Sequence, residues 1–147
     1  NLPTSFLPLT NSDMQHMTAC IDLSLNHCSD GSYDMVAIYV KGNKRTIGTN
    51  SLTKPAKTID CRYPDISGRH AELSCWFQCQ PMRGGTLYVA GRRATNKTIM
   101  TTTRPCVYCS ALIASTRIRY VVFLQDGVFV KCKPSDLIKD SDVNQNP

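Results

Sequence analysis

Short apolar runs rich in β-branched residues constrain the fold more than any other feature of the sequence. They are MVAIYV (35–40), TLYVAGR (86–92) and the two halves of IRYVVFLQDGVFVKCKP, which Asp126-Gly127 joins. Runs of this composition are typical of strands, and Asp-Gly is a strong signal for a tight hairpin turn. Another turn, at Lys41 to Lys44, predicts that Arg45 to Thr49 pair with the first run. The sequence therefore predicts five strands.

Three further segments predict helices. Residues 12–28 open with a capping-box pattern at Ser12 and carry apolar residues near helical spacing. The segment GRHAELSCWFQCQ (68–80) is typical of a short buried helix, and in residues 104–116 Pro105 suits a first helical turn. The element order is thus α, β, β, α, β, α, β, β. This order predicts an α/β fold: a three-layer α/β/α sandwich around a mixed five-stranded sheet, with the last strand antiparallel.

Length and composition favour one soluble domain. With 147 residues, 41% of them hydrophobic, the chain can bury a core without metal or disulfide staples. We expect a single domain over residues 1–147, with a core at about 12–138 and frayed ends. No apolar run reaches about 18 residues and the N-terminus lacks a secretory pattern, so no membrane association is expected. A cytoplasmic location is expected, or secretion if the chain is a toxin domain.

The charge balance favours an anionic partner. The formal net charge of +6 comes from 17 Lys and Arg against 11 Asp and Glu, which suits a nucleotide or nucleic acid. A solvated surface excess explains the same numbers equally well. The net charge therefore narrows the class of partner without identifying it.

The eight cysteines fall into groups with different chemistry. Those that lie in apolar segments predicted as helical, where a free thiol acts as a small hydrophobe, are Cys20, Cys28, Cys75 and Cys79. Cys106 and Cys109 instead form a C-x-x-C pair in PCVYC, at the start of a predicted helix. A helix N-terminus lowers thiol pKa values, and thiolates at this spacing bind Zn²⁺. His70, at the start of another predicted helix, is the natural third ligand.

His70 is followed two residues later by Glu72, in an otherwise apolar segment. A buried carboxylate needs compensation, and a zinc site with three protein ligands and a fourth position for water provides a role for it. Glu72 would take a proton from the water and pass it to the substrate. H-x-E followed by P-C-x-x-C is a signature of zinc deaminases of cytosine and adenine.

Other interpretations of the cysteine pair remain open. A redox pair would fit C-x-x-C, although the late position after a proline is unlike the thioredoxin arrangement. A structural zinc site would need a fourth protein ligand, for which the candidates are Cys61, Cys75, Cys79 and Cys132. A non-catalytic binding module would have no need of Glu72 as a proton carrier.

Over roughly residues 35–133 the chain resembles the cytidine and deoxycytidylate deaminase superfamily. The resemblance rests on RHAEL, TTTRPCVYC, TLYVAG, IRYVVFL and the Ile47 to Asn50 segment. It implies Zn²⁺ as cofactor, with His70, Cys106 and Cys109 as ligands and Glu72 as the acid and base. It also implies a substrate site formed by Asn50 at the ribose, the backbone of Ala71, and the backbone of Thr102 and Thr103 with the neighbouring Arg104.

The substrate is expected to be a cytosine nucleoside or nucleotide, since a chain this small leaves little room for a nucleic-acid groove. The alternative is a deaminase of DNA or RNA, acting as an editing enzyme or a toxin domain, with Tyr63 as a stacking face. Trp76 and Tyr108 are better explained as core residues. Candidate phosphate-binding residues are Lys54, Lys57, Arg62, Arg92 and Arg93. Members of this superfamily are often homo-oligomers, so assembly of this chain is also open.

Overall fold

The structure is a computed structural model that describes residues 6–52 and 68–138. Its helices are α1 (Asn11–Asn26), α2 (Ala71–Gln78) and α3 (Val107–Ser115). Its strands are β1 (Tyr33–Lys41), β2 (Lys44–Thr49), β3 (Thr86–Arg93), β4 (Tyr120–Gln125) and β5 (Val128–Cys132). The predicted order of elements is confirmed. Most of the long loop after Asn50 lies outside the described residues, as do residues 1–5 and 139–147 of the predicted frayed ends.

The five strands form one mixed sheet in the order β2-β1-β3-β4-β5. Only β3 and β4 run parallel, and α3 connects them, because a parallel crossover needs a long connection. The pairs β1–β2, β1–β3 and β4–β5 are antiparallel, so the prediction of an antiparallel last strand is confirmed. The α/β class and the mixed five-stranded sheet are confirmed as well.

Side chains alternate between the two faces of the sheet, which explains why all central strands look apolar. One face carries odd-numbered residues such as Ala37, Leu87 and Phe123, which pack with residues of α2 and α3. The other carries even-numbered residues such as Ile38 and Val122, which pack against α1. A sheet buried on both faces needs nearly continuous apolar strands, as found here.

The beginning of α1 differs from the prediction. The N-cap is Thr10, whose hydroxyl accepts from the Asp13 N–H at 3.0 Å, while the Asp13 carboxylate accepts from the Thr10 N–H at 2.9 Å. Ser12 lies inside the helix, where its hydroxyl is 3.3 Å from the His16 ring. Ser12 and Thr10 both begin a capping-box pattern, and the acidic side chain of Asp13 favours the earlier one.

Two other helix ends were also wrongly predicted. His27 is the C-cap of α1, so Cys28 lies outside the helix and is exposed rather than packed as a small hydrophobe. Helix α3 begins at Val107 with Cys106 as its N-cap, which leaves Pro105 before the helix instead of in its first turn. None of the helices in the described part of the chain is long and apolar enough to cross a membrane.

A buried ion pair links α1 to β5, an edge strand of the sheet. Asp13 is 3% exposed and accepts from the Lys131 ammonium at 2.8 Å and from the Tyr88 hydroxyl at 2.7 Å. Burial raises the pKa of Asp13, but the hydrogen bonds from Lys131, Thr10 and Tyr88 outweigh it and hold the pKa below its ordinary value. The network therefore joins α1, β3 and β5 through one carboxylate.

Removing the Asp13 carboxylate should destabilise the fold strongly. Asp13→Ala leaves the Lys131 ammonium buried without its counter-charge, so we expect the free energy of unfolding to fall by about 3–5 kcal/mol in urea titrations at neutral pH. The matched control is Asp22→Ala, an exposed carboxylate on the same helix, with little expected change. Because the folded-state pKa of Asp13 is lowered, its contribution is present above the ordinary value of 3.8 and is lost as the pH falls below it. Equal losses from the two variants would contradict this interpretation.

Candidate active site

The end of β2 positions the start of α2. Ser51 and Arg69 form an antiparallel bridge, with N–H to carbonyl distances of 2.8 Å and 2.6 Å, and His70 follows as the N-cap of α2. Gly68 has a φ of +74°, and a Cβ there would lie 2.7 Å from the Ser51 carbonyl oxygen. Glycine is therefore needed where the chain enters the helix.

Helix α2 also lies unusually close to β2. A Cβ on Gly48 would clash with the Ala71 carbonyl oxygen and would lie 2.6 Å from the Cys75 nitrogen. The Cys75 thiol donates to the carbonyl oxygens of Ala37 at 3.2 Å and Thr46 at 3.5 Å. Cys75 is thus a buried packing residue, as its apolar context predicted, and this close approach fixes the first turn of α2 against the sheet.

The segment that leads into α3 begins between β3 and β4, where these two strands diverge. These strands pair only from Thr86 to Tyr88 in β3, and farther along Thr103 lies between them. Its hydroxyl donates to the Val89 carbonyl at 2.8 Å and accepts from the Leu124 N–H at 2.9 Å. Its own N–H donates to the Leu124 carbonyl at 2.8 Å. Thr103 therefore bridges the diverging strands and anchors the segment that leads to Cys106.

His70, Cys106 and Cys109 meet where the two helices begin. Their ligand atoms all lie within 4.8 Å of one another. The His70 Nδ1 is 3.5 Å from the Cys106 Sγ and 3.4 Å from the Cys109 Sγ. A tetrahedral zinc ion with ordinary Zn–S and Zn–N bond lengths places such atoms about 3.6 Å apart. The donor set and its spacing therefore fit Zn²⁺.

Glu72 is buried beside this cluster. It is 7% exposed, lies in the first turn of α2 and lines the same cavity as His70 and Cys106. Burial, assisted by the negative charge of Cys106, raises the pKa of Glu72 to about 7. A carboxyl with that pKa can both accept and release a proton near neutral pH.

The two thiols differ in acidity, which the sequence did not predict. A hydrogen bond from the Cys109 side chain lowers the pKa of Cys106 to about 4. Burial acts in the opposite direction, and a hydrogen bond with His70 lowers the pKa further. Hydrogen bonding to Cys106, together with burial, raises the pKa of Cys109 well above its ordinary value. A separate hydrogen bond, between His70 and Cys106, raises the pKa of His70. The prediction of a lowered pKa for both thiols is thus wrong for Cys109, because the buried thiol donates to its neighbour.

One cavity of about 490 Å³ is lined by His70, Cys106 and Glu72. Four of the predicted substrate residues line it, namely Asn50, Ala71, Thr103 and Arg104. The Asn50 side chain also accepts from the Met35 N–H at 2.9 Å and donates to the Tyr33 carbonyl at 2.8 Å. It therefore holds the end of β2 against the start of β1 while it faces the cavity.

Several other predicted residues lie elsewhere. Thr102 is exposed, does not line the cavity, and accepts from the Asp126 N–H at 3.3 Å. Arg92 donates to the carbonyl oxygens of Ile21 and Lys97, and Arg93 is exposed at the end of β3, so neither lines the cavity. The predicted residues that fall outside the described part of the chain are Lys54, Lys57, Arg62, Tyr63 and Cys61. The other candidate fourth ligands, Cys75, Cys79 and Cys132, are not part of the His70 cluster.

Some residues of the cavity wall were not predicted. Arg69 lines it with its guanidinium 4.5 Å above the Phe77 ring, and Tyr33, Leu52 and Met100 add apolar wall surface. Arg69 directly precedes His70 in the sequence, and this position could have predicted that it lines the cavity. Tyr33 lies opposite Arg93 where β1 pairs with β3, and Met100 is held beside β3 by its N–H, which donates to the Gly91 carbonyl at 3.0 Å. Tyr108 is buried between α2 and α3 and Trp76 is partly buried, in agreement with their interpretation as core residues.

A nitrogen and two sulfur donors beside a buried carboxylate form the kind of site that zinc hydrolases use. The family profile described as the cytidine and deoxycytidylate deaminase zinc-binding region matches residues 10–125, and the chain belongs to this family. The resemblance drawn from the motifs and the expectation of zinc are therefore confirmed. No curated protein matches the chain significantly. Among solved structures, the apo dCMP deaminase of cyanophage S-TIM5 is similar, with 17% identity, a TM-score of 0.45, and coverage of 77% of this chain and 82% of that one.

The Thr103 bridge can be tested by removing its hydroxyl. Thr103→Val keeps the shape of the side chain, but the Leu124 N–H and the Val89 carbonyl lose a buried partner. We expect the free energy of unfolding to fall by about 2–4 kcal/mol in denaturant titrations, because each unsatisfied buried group costs about 1–3 kcal/mol. Thr103→Ser keeps the hydroxyl and is the matched control, with a clearly smaller loss. If Ser and Val were equally destabilising, the hydrogen bonds would not be the cause.

Proposed function

We propose that the chain catalyses hydrolytic deamination of a cytosine nucleoside or nucleotide, giving the uracil form and ammonia. The observation that carries the proposal is the convergence of His70, Cys106 and Cys109 within 4.8 Å, beside a cavity that His70, Cys106 and Glu72 line. Family membership supports the reaction class. The choice of substrate rests on the cavity itself.

His70, Cys106 and Cys109 would hold the metal ion, in agreement with their spacing. Zinc supplies Lewis-acid activation of water to such a site, so that a nucleophile is available near neutral pH. The protein holds these donors through two helix N-caps, His70 and Cys106, with Cys109 one turn into α3. Cap residues project from the end of a helix, which leaves the cavity side of the cluster accessible to a substrate.

Glu72 would move the protons of the reaction. Hydrolysis adds the elements of water at the ring carbon that carries the amine, and the amine leaves as ammonia. The carboxylate takes one proton from the attacking water and transfers it to the ring nitrogen. It then takes the second proton from the resulting hydroxyl group and gives it to the amine, so that the C–N bond breaks as the carbonyl forms. Its burial and raised pKa, about 7, suit both directions of transfer.

The wall of the cavity favours a substrate with a phosphate. Arg69 and Arg104 both line it, and guanidinium groups match phosphate oxygens. The cavity of about 490 Å³ is of ordinary size for a single small ligand. These features support a cytosine nucleotide over an unphosphorylated nucleoside.

Glu72→Gln tests the assigned proton carrier. The amide keeps the shape but cannot exchange the protons, so we expect zinc content to stay near one ion per chain while kcat falls by about 10²–10⁴-fold or more. Elemental analysis and a uracil-release assay measure the two quantities. His70→Ala is the companion variant and should lose zinc together with activity. Normal turnover by the Gln variant would remove Glu72 from the mechanism.

A panel of substrates tests the proposed substrate class. Purified enzyme is given deoxycytidine, dCMP, dCTP, and single-stranded and double-stranded oligonucleotides, and uracil is measured in each. We expect turnover of free substrates with dCMP favoured over deoxycytidine, and Arg69→Gln should raise KM for dCMP more than for deoxycytidine. Uracil formed only in the oligonucleotides would replace the proposal with the polynucleotide alternative.

A further inference from the structure

Two cavities lie at the end of the sheet opposite the candidate active site. One, of about 410 Å³, lies beside the β1–β2 turn and the end of α2, and the other, of about 470 Å³, lies beside the ends of α2 and α3. Gln80 and Pro81 line both cavities, so they adjoin. Helix α2 has 8 residues and begins at the active site, which separates the two ends by roughly 12 Å. Neither cavity shares a lining residue with the catalytic one.

Within the described part of the chain, every charged side chain that lines these two cavities is cationic, and we call the two cavities together the basic groove. These cations are Lys41, Lys44, Arg83 and Arg117. The backbone register sets them in pairs, with Lys41 opposite Lys44 across β1 and β2 and Arg83 bridged to Arg117. Like charges directly opposite one another repel, and an anion bound between them relieves the repulsion.

The surrounding surface reinforces this charge. Arg45 and Arg119 are exposed at the same end of the sheet. Among the described residues, the exposed carboxylates lie toward the other end of the sheet. Asp30 precedes β1 and Asp126 follows β4. Asp22 is next to Ile21, whose carbonyl accepts from Arg92 near the end of β3. The partial negative charges at the ends of α2 and α3 amount to about half a unit each, which four full positive charges outweigh.

The form of the groove indicates which anion it fits. Its cations line two adjoining cavities, one on each side of the Gln80-Pro81 segment. A chain with repeated phosphates can therefore contact more of these cations than one mononucleotide can. Trp76 packs against the core but is only partly buried, and it lines the second cavity, where its remaining exposed surface is available to a base. None of the large exposed apolar side chains lines the groove, unlike a surface that inserts into lipid. We propose that the basic groove binds single-stranded nucleic acid.

This proposal goes beyond the deaminase activity, because the groove and the catalytic cavity have no residue in common. A bound strand would be held by phosphate contacts and stacking, without sequence reading. The catalytic cavity would stay open to a free substrate while the groove is occupied. The test therefore uses a strand without cytosine.

Binding of a fluorescent oligothymidylate of about 15 nucleotides to the full chain is measured by anisotropy over a range of salt concentrations. The groove variant is Arg83→Gln with Arg117→Gln. The control is Lys133→Gln with Ser135→Glu, two exposed positions outside the groove. Each double change lowers the formal net charge of +6 by two.

We expect the groove variant to bind about tenfold more weakly at low salt, with a salt slope shallower by about 1.4, because each lost phosphate contact on a single strand removes about 0.7 from the slope. The control should stay within about twofold of the unaltered chain. Zinc content and the unfolding midpoint of both variants should match the unaltered chain, which shows that they are folded. Arg83→Lys with Arg117→Lys, which keeps the charge, should restore most of the affinity.

Three results would overturn the proposal. Equal weakening in the groove and control variants would indicate attraction by net charge alone. Competition by dTMP as strong as by the oligonucleotide, compared per phosphate, would indicate a mononucleotide site. Tighter binding to phosphatidylserine vesicles or to polyglutamate than to the oligonucleotide would identify another class of partner. Because oligothymidylate is not a substrate, none of these results depends on whether the chain deaminates cytosine.

Discussion

The site depends on the N-termini of α2 and α3, which meet at the same end of the sheet. His70 and Cys106 are the N-cap residues of α2 and α3, so the backbone that sets each helix also sets each donor atom. Helix α2 is fixed by its close approach to β2 at Gly48, and the segment before α3 is fixed by Thr103 between β3 and β4. A small movement of either helix would separate the nitrogen from the sulfurs. The metal-binding geometry is therefore a consequence of how closely the helices pack on the sheet.

The general architecture could be predicted because the strands and motifs have local signatures. The apolar runs, the Asp126-Gly127 turn and the P-C-x-x-C motif are each readable without tertiary information. Helix ends were harder, since Thr10 and Ser12 both begin an acceptable cap, and the Asp13 side chain that favours Thr10 is a weak local signal. Pro105 was misassigned because proline is favoured at the first helical position, whereas here it precedes the N-cap Cys106.

The cavity wall could be predicted only in part. Asn50, Ala71 and Thr103 came from motifs, whereas Tyr33 and Met100 are placed at the cavity by contacts with β3 that no local pattern encodes. The structural role of Thr103 was also hidden, because its hydroxyl bonds to strands that are distant in sequence. Likewise, the opposite pKa shifts of Cys106 and Cys109 follow from the hydrogen bond in which the buried Cys109 thiol donates to Cys106, and the spacing C-x-x-C does not determine which thiol donates.

The formal charge of +6 understates how basic the surface is. Asp13 pairs with Lys131 inside the fold, Asp34 pairs with Lys97, and Glu72 is buried in the catalytic cavity. Each of the first two carboxylates cancels a lysine that is itself partly or fully buried, and Glu72 contributes little to the outer field. Among the described residues, eight exposed cations outnumber three exposed carboxylates, and four of these cations line the basic groove. Anionic molecules are attracted to the protein as a whole, but the two ends of the sheet distinguish them. Arg69 and Arg104 are among the residues that line one small cavity, whereas the groove presents its charges along an open surface. Because open surface charges are screened by salt more than charges within a cavity, ionic strength should separate the two kinds of binding.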